Sequence, residues 1–250
     1  MINLRNGWLL GMAVACMAVV AAGLTAAEPA PADKDIKDLA AKAADFLKTR
    51  QAKDGSFSSK FGGPGITALV AAALLRNGYN AEDPVVAKCM EHLSNSVQKD
   101  GGIYDKALAN YTTSVALVTF VEANTKGQYD TLVKNATKFL KTLQYDDSLV
   151  EEKDVKFGGF GYDAKKRPDL SNTQYSIEAM LAAGVPKNDP AIQRALKFIS
   201  RCQNLPGETN DQPFARRQQP TTRAASSIIR SSTRTTRTRR LMAACAPRES

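Results

Sequence analysis

The chain has few of the side chains that carry most enzyme chemistry. Its 250 residues include one histidine, one tryptophan and four cysteines. No Ser-His-Asp, Cys-His or phosphate-binding-loop pattern is present in the sequence. Beyond residue 27 the cysteines are Cys89, Cys202 and Cys245, and an odd, low number does not make a disulfide framework. A Cys89–Cys202 disulfide and two unpaired thiols both stay open at this point.

The formal charge of +9 describes only one end of the chain. Residues 28–214 carry 19 Lys and 5 Arg against 24 Asp and Glu, so this body is neutral. Residues 215–250 carry nine Arg, no Lys and a single acid, Glu249. The basic charge therefore says nothing about what the body of the chain binds.

Long apolar runs are absent after residue 27, but one precedes it. Arg5 supplies a positive start, residues 8–24 are apolar, and residues 25–27 (Thr-Ala-Ala) are a small-residue cleavage site. This pattern is typical of a cleaved export signal, and an uncleaved membrane anchor is the alternative. We predict a signal peptide over residues 1–27 and a linker over 28–33. We also predict a periplasmic or extracellular location, with no stable membrane span after cleavage.

A repeated pattern occupies most of the remaining chain. Four times, an apolar residue stands five positions before a glutamine, and the glutamines lie 47, 46 and 59 residues apart. Glycines and an aromatic residue follow the first three glutamines. A period of this size is typical of stacked supersecondary units. The repeat residues are Phe46, Gln51, Gly55 and Phe57, then Leu93, Gln98, Gly101, Gly102 and Tyr104, then Phe139, Gln144, Gly158, Gly159 and Phe160, and finally Phe198 and Gln203.

Each repeat predicts two helices. The first is amphipathic, as in residues 38–51, where apolar residues recur at helical spacing. The second is apolar on nearly every side and must be buried all round. These inner segments are residues 66–75, 112–123 and 171–183. The sequence therefore predicts an all-α fold in which amphipathic outer helices surround apolar inner helices.

The repeat carries a family resemblance. The segment FLKTRQAKDGSF (residues 46–57) resembles the glutamine-tryptophan repeat of squalene and terpene cyclases, and residues 98–104 and 156–180 resemble further copies. Those enzymes share an alpha-alpha toroid with protein prenyltransferase beta subunits. The resemblance covers about residues 34–203. It implies a partial toroid of three helix pairs plus the first helix of a fourth, within a repeat domain over residues 34–214.

The same resemblance implies a role for the repeated side chains. In the family the glutamine caps a neighbouring helix and the aromatic residue stacks on it. The implied capping residues are Gln51, Gln98, Gln144 and Gln203. Here Phe57, Tyr104 and Phe160 stand where the family prefers Trp, so we expect weaker stacking.

Residues 215–250 break the repeat. The resemblance implies another Gly-Gly-aromatic turn after Gln203, but the chain becomes rich in Arg, Ser and Thr without any aromatic residue. From Arg223 onward a shifted reading frame permits GGFIYHPLVDEDNKDPPADGGLRSAG, which contains that turn. We interpret the segment as a disordered, frame-shifted tail. The alternative is a genuine tail that binds nucleic acid or anionic lipid by charge, although it lacks aromatic residues for stacking on bases.

The catalytic motifs of the resembled enzymes are missing from the sequence. Class II terpene cyclases protonate their substrate with Asp-x-Asp-Asp, and the pair at residues 146–147 is interpreted as a solvated turn. Prenyltransferase beta subunits hold zinc with Asp, Cys and His. Cys89 and His92 stand three residues apart on one helix face, but their counterparts in other repeats are polar, which indicates the outer face. We predict no catalytic residue, no metal and no cofactor.

The resemblance implies that a ligand would lie on the inner face, at the starts of the inner helices. The alternative is that Ser171 or Asn172 simply caps a helix, with Asp169 in its first-turn region. The ligand-facing candidates are Asn110, Tyr111, Thr112, Thr113, Asp169, Ser171, Asn172, Thr173 and Gln174.

Three functions stay open from the sequence. The first is an exported, non-catalytic repeat domain that binds an unknown ligand, such as an isoprenoid or another protein, or serves a structural role. The second is part of a cyclase or transferase whose catalytic half is missing here. The third is nucleic-acid binding by the Arg-rich tail. Missing catalytic signatures favour the first, and an open array of helices also favours self-association through its exposed edge.

Overall fold

The computed structural model describes residues 33–57, 63–163 and 166–203, and residue 210. Within these residues the chain forms seven α-helices and no sheet strand, with two isolated bridges. The all-α prediction is confirmed. The helices are α1 (Asp33–Lys48), α2 (Pro64–Arg76), α3 (Pro84–Asn95), α4 (Ala109–Ala123), α5 (Asp130–Thr142), α6 (Leu170–Ala182) and α7 (Pro190–Cys202).

Several predicted segments lie outside the described residues. They are the signal peptide over 1–27, the linker apart from its last residue, and the Arg-rich tail over 215–250. None of the helices in the described ranges combines the length and the hydropathy that crossing a bilayer requires.

The chain divides into two compact units, Met1–Ala43 and Ala44–Ser250. The described part of the first unit is the beginning of α1, where Lys34 and Asp38 form an exposed ion pair of 3.3 Å one helical turn apart. Helices α2 to α7 all belong to the second unit.

Inner and outer helices alternate along the second unit, as a toroid-like fold requires. The inner helix α4 packs against α2 on one side and α6 on the other. Most of its residues are buried, because it carries no charged residue before Glu122. The outer helices α3, α5 and α7 each pack against the inner helix that precedes them. Their buried residues recur on one face, for example Ala136, Phe139 and Leu140 of α5.

Local signals explain where the helices begin and end. Gly78 and Gly184 follow α2 and α6 with φ of 92° and 82°, the left-handed conformation that suits glycine after a helix. Helices α3 and α7 begin at the prolines of two Asp-Pro pairs. Asp189 caps α7, because its Oδ1 accepts a hydrogen bond of 2.9 Å from the Ala191 N–H. Asp83 instead accepts from the Asn80 N–H at 2.6 Å.

Candidate functional site

The turns between outer and inner helices place three glycines at corresponding positions. All three adopt φ between 83° and 91°, and a Cβ on any of them would collide with a backbone carbonyl of the next outer helix. The glycines are Gly55, Gly101 and Gly158, and the carbonyls are those of Lys88, Asn135 and Arg194. Of the two adjacent glycines that the sequence indicated for the third repeat, Gly158 corresponds to Gly55 and Gly101, and Gly159 follows it by one residue.

Three threonines join these turns to the inner helices. Each hydroxyl oxygen accepts a hydrogen bond from the backbone N–H two residues after the turn glycine, and each threonine is fully buried. The pairs are Phe57 N with Thr67 at 2.9 Å, Ile103 N with Thr113 at 2.8 Å, and Phe160 N with Thr173 at 3.0 Å. Thr113 and Thr173, predicted to face a ligand, are thus occupied in holding the turns.

The middle repeat departs from the predicted register. Ile103, not Tyr104, occupies the position that Phe57 and Phe160 hold in the other turns. Tyr104 lies one residue further along, where its ring stacks on Phe139 at a centroid distance of 5.7 Å. Its hydroxyl donates to Asp100 Oδ2 at 2.6 Å, and this bond raises the pKa of the tyrosine.

The repeated glutamines behave in two different ways. Gln51 Nε2 donates to the Val85 carbonyl at 2.8 Å, and Gln144 Nε2 donates to the Ala191 carbonyl at 2.8 Å. Both carbonyls belong to the second residue of the next outer helix. Both side chains also donate to the carbonyl of their own turn glycine, Gly55 or Gly158. These two glutamines therefore tie one repeat to the next.

Gln98 makes no such tie. Its Nε2 donates to the Tyr104 carbonyl of its own turn at 2.7 Å, and the side chain is exposed. The backbone shows why, because Gln98 N donates to Gly102 O just as Ala52 N donates to Ser56 O. Val97 thus corresponds to Gln51, and the predicted role of Gln98 is wrong by one residue.

The last glutamine, Gln203, follows α7 and is half-buried. The residues after it, which the resemblance would have it cap, lie outside the described ranges apart from Asn210. The capping role of Gln203 therefore stays a prediction.

The apolar residues before the glutamines pack on the preceding turn. Phe139 lies against Gly102, and Phe198 lies against Gly159, which Pro168 also approaches. Phe46, in the first repeat, is 57% exposed, with the Arg50 guanidinium carbon 4.9 Å from its ring centroid. Phe139 and Phe198 each stand four residues after the carbonyl that faces a turn glycine. In α3 the residue four positions after the Lys88 carbonyl is His92, so His92 corresponds to these phenylalanines.

Cys89 and His92 lie in different surroundings, contrary to the outer-face prediction for both. Cys89 is completely buried in the core, 3.3 Å from Gln51 Nε2. Burial raises the pKa of its thiol to about 11. His92 lies near the turn, with its Nδ1 3.9 Å from Asp54 Oδ2. Across the ranges that the structure describes, three or more His, Cys, Asp or Glu side chains do not gather at any point as a metal site would need.

Asp169 and Asn172 form the cap of α6. Asp169 Oδ1 accepts from the Asn172 N–H at 2.8 Å, and its Oδ2 accepts from Asn172 Nδ2 at 2.8 Å. Of the sequence alternatives, the structure thus supports a helix cap in which Asp169 is itself the capping residue. Asn172 Oδ1 is buried and accepts no hydrogen bond within the described part of the chain.

A buried polar network joins α4 to α6 beside this cap. Asn110 Nδ2 donates to the Gly161 carbonyl at 2.8 Å. Asn110 Oδ1 accepts from Ser176 Oγ at 2.8 Å, and Ser114 Oγ lies 3.4 Å from the same oxygen. Asn110 was a ligand-facing candidate, but it is fully buried and holds two inner helices together.

The remaining ligand-facing candidates do not converge on one point. Thr112 is buried where α4 approaches Gly65 of α2. Gln174 is exposed and donates to Glu178 on its own helix, and Ser171 is half-buried in the first turn of α6. Tyr111 is the exception, because its ring meets Tyr175 of α6 edge to face at 5.0 Å.

Tyr162, which is 45% exposed, lies close enough to Tyr111 to contribute to the raised pKa of that tyrosine, and we group it with the two rings. Burial and the neighbouring Tyr175 raise the pKa of Tyr111. Tyr162 is held from the backbone, since its carbonyl accepts a hydrogen bond of 3.0 Å from the Asn110 N–H. We call Tyr111, Tyr162 and Tyr175 the tyrosine patch. Tyr162 and Tyr175 were not among the ligand-facing candidates, although both lie in the segment that carried the resemblance.

A groove lies at the opposite ends of the inner helices from the tyrosine patch. The groove has a volume of about 240 Å³ and runs between the C-terminal ends of α2 and α4, lined by Leu75, Tyr79 and Thr125 among others. Arg76 crosses it, with Nε and Nη2 donating to Glu122 Oε1 at 2.8 and 2.6 Å. This ion pair was not predicted from the sequence, yet Arg76 and Glu122 each stand nine residues after a turn-binding threonine.

The pair Asp146-Asp147 follows α5 in a turn. Asp146 Oδ1 accepts from the backbone N–H and the hydroxyl of Ser148, at 3.1 and 2.6 Å. Burial alone would raise the pKa of Asp146, but the Ser148 hydrogen bonds and the nearby Arg194 lower it below its usual value. The side chain of Asp146 thus acts as a turn acceptor.

The chain was also compared with known proteins. The profile of the family described as squalene-hopene cyclase C-terminal domain matches residues 61–223. No curated protein matches the chain significantly. The matched region contains α2 to α7, the second and third turns and the tyrosine patch, whereas the first turn, with Gly55 and Phe57, precedes it. Because the match spans more than half of the 250 residues, the chain belongs to the squalene-hopene cyclase C-terminal domain family.

Proposed function

We propose that the repeat domain is an exported, non-catalytic module that binds an isoprenoid at the tyrosine patch. The observation that carries the proposal is the state of Asp169, the one acid among the ligand-facing candidates. Both of its carboxylate oxygens accept hydrogen bonds from Asn172, as a helix cap does. An acid that protonates a substrate must instead present a proton towards it.

The tyrosine patch supports an apolar ligand. Tyr111 and Tyr175 are half-buried and Tyr162 is exposed, so the rings offer an aromatic surface at the starts of two inner helices. Aromatic rings contribute large apolar contact areas with a polar edge. The family is named for a cyclase of squalene, which favours an isoprenoid over other apolar ligands, and another protein is the alternative occupant.

Binding and turnover assays test this proposal together. Squalene in detergent micelles and farnesyl diphosphate are incubated with the purified protein, binding is followed by tyrosine fluorescence, and products are sought by mass spectrometry. We expect saturable binding of at least one probe without conversion. Tyr111→Ala and Tyr175→Ala should each weaken binding, whereas Tyr145→Ala, on the turn after α5, should not. Conversion of either probe would overturn the non-catalytic assignment, and binding unchanged by the patch variants would overturn the site.

A second candidate is that the domain is one part of a cyclase or transferase. Membership of a family named for a cyclase domain favours it, and so does the change in composition near the end of the match, at residue 223. Resequencing the gene from the codon for Gln203 tests it. An inserted or missing base followed by an Asp-rich motif or zinc ligands supports this candidate, and an unchanged reading frame counts against it.

The sequence pattern of residues 1–27 supports the export part of the proposal. We expect the protein recovered from its source cells to start near residue 28 and to leave the cytoplasm. Sequencing the N-terminus of protein from fractionated cells tests this, and a retained N-terminus in the cytoplasmic fraction would contradict it.

A further inference from the structure

The three inner helices can be aligned by their turn-binding threonines. Thr67, Thr113 and Thr173 make the same hydrogen bond to their turns. Residues at equal distances before or after each threonine therefore occupy corresponding positions on α2, α4 and α6. From these positions we can tell which face of each inner helix meets the preceding inner helix and which face meets the following inner helix.

The face directed at the preceding inner helix is buried in α4, whereas the corresponding face of α2 is exposed. Thr119 Oγ1 of α4 donates to the Ala68 carbonyl of α2 at 3.0 Å, so this position faces the preceding inner helix. Thr119 and its α6 counterpart, Ala179, are both completely buried. The α2 counterpart, Ala73, is exposed.

Two neighbours of Ala73 follow the same pattern. Ile66 is half-buried, whereas its counterparts Thr112 and Asn172 are each only 1% exposed. Leu69 is 43% exposed, whereas its α4 counterpart Val115 is buried. We call Ile66, Leu69 and Ala73 the α2 edge.

The face directed at the following helix shows the reverse pattern. Ala68 of α2 and Ser114 of α4 are both completely buried, but their α6 counterpart, Gln174, is exposed. On the same side of α6, Ile177 is half-buried and Leu181 is 36% exposed. We call Gln174, Ile177 and Leu181 the α6 edge.

We infer that the α2 edge of one copy of this protein docks on the α6 edge of a second copy. The two edges are the two halves of an interface that the chain already makes twice, between α2 and α4 and between α4 and α6. A second copy therefore continues an established packing arrangement. Because the two faces differ, the contact is head to tail and produces open chains or closed rings.

Introducing a charged residue into one edge at a time tests the docking, because each edge can be blocked separately. Leu69→Lys blocks the α2 edge and Leu181→Lys blocks the α6 edge, and both side chains are exposed enough to tolerate lysine. Leu149→Lys is the matched control, because Leu149 is 52% exposed and lies on the turn after α5. Circular dichroism and thermal melting of each purified variant establish that it is folded.

Sedimentation velocity over a hundredfold concentration range gives the readout. We expect wild type and Leu149→Lys to grow beyond dimers as concentration rises, and each edge variant alone to stay monomeric. An equimolar mixture of Leu69→Lys and Leu181→Lys should form dimers and nothing larger, because each copy retains one complementary edge. A monomeric wild type, self-association by either single variant, or a monomeric mixture would each overturn the inference. The first of these outcomes would indicate that another segment of the same chain covers an edge.

Discussion

The third repeat turn and the middle one solve the same packing problem with different side chains. In the third, Gln144 is buried and bonds to both the turn and the first turn of α7. In the middle, Val97 occupies that position and Gln98 turns back on its own loop. Both turns nevertheless keep the positive-φ glycine and the threonine acceptor. The comparison shows that the glycine and the threonine define the repeat, and that the glutamine strengthens it where the register allows.

The backbone glycines should give the largest effect. Gly158→Ala places a Cβ against the Arg194 carbonyl at positive φ, and we expect a loss of roughly 3 kcal/mol of unfolding free energy, or no folded protein. Gly184→Ala has the same sign of φ with nothing within 4 Å of the new atom, and should cost only about 1 kcal/mol. Urea denaturation followed by circular dichroism measures both. Equal losses would show that the close approach of α7 is not what requires glycine at residue 158.

The glutamines should come next in effect. Gln144→Ala removes three hydrogen bonds at a buried position, including the one that Gln144 Oε1 accepts from Arg194 Nε at 3.1 Å. We expect a loss of about 2 kcal/mol. Gln98→Ala changes an exposed side chain and should cost less than about 0.5 kcal/mol. Chemical denaturation of the two variants side by side gives the ratio, and a larger loss for Gln98→Ala would reject the corrected register.

The ion pair and cap at the start of α7 predict that the stability of the protein depends on pH. Burial alone would raise the pKa of Asp189, but the hydrogen bond from Lys141 Nζ at 2.6 Å and that from the Ala191 N–H lower it overall. Since the folded pKa lies below the unfolded value of about 3.9, the stabilisation is complete well above that pH. It is lost as the pH falls through the folded pKa.

Asp189→Asn keeps a capping side chain but removes the charge. We expect it to lower stability by up to about 1 kcal/mol at pH 7, and the difference from wild type to shrink between pH 5 and pH 2. Asp83→Asn at the start of α3 is the control, since Asp83 accepts from the Asn80 N–H instead. Thermal melts across this pH range provide the measurement. A difference that grows on acidification would contradict the assigned ion pair.

Restoring the glutamine in the middle turn should have a small effect of the opposite sign, an increase in stability. Val97→Gln places an amide at the position of Gln51 and Gln144, where it can reach the start of α5. Because Val97 is 36% exposed, the change removes little apolar burial, and we expect a gain of about 0.5–1 kcal/mol. A clear rise in the urea midpoint would support the equivalence of residues 51, 97 and 144, and a fall would weaken it.

Most of the fold could be predicted from local patterns. Helix periodicity located the inner and outer segments, and local signals of the same kind, Gly78 and the Asp83-Pro84 pair, stand at the end of α2 and the start of α3. The candidate site was less predictable, because Asn110, Thr112, Thr113 and Thr173 are polar residues at inner-helix starts and suggested a ligand. Their partners are backbone groups and side chains far away in sequence, such as Ser176 for Asn110, and no local pattern indicates such pairings.

The sequence by itself determined that this chain folds as alternating amphipathic and apolar helices, because a helix buries the residues that recur every three to four positions. It also determined that each turn carries a glycine, since only glycine tolerates positive φ without cost. Only the tertiary structure decided which residues correspond between turns. A one-residue slip, as at Val97 and Gln98, leaves the spacing in sequence almost unchanged but reverses which side chain reaches the next helix. The pairing of Asn110 with Ser176, and of Asp169 with Asn172, likewise depends on how the helices meet in space.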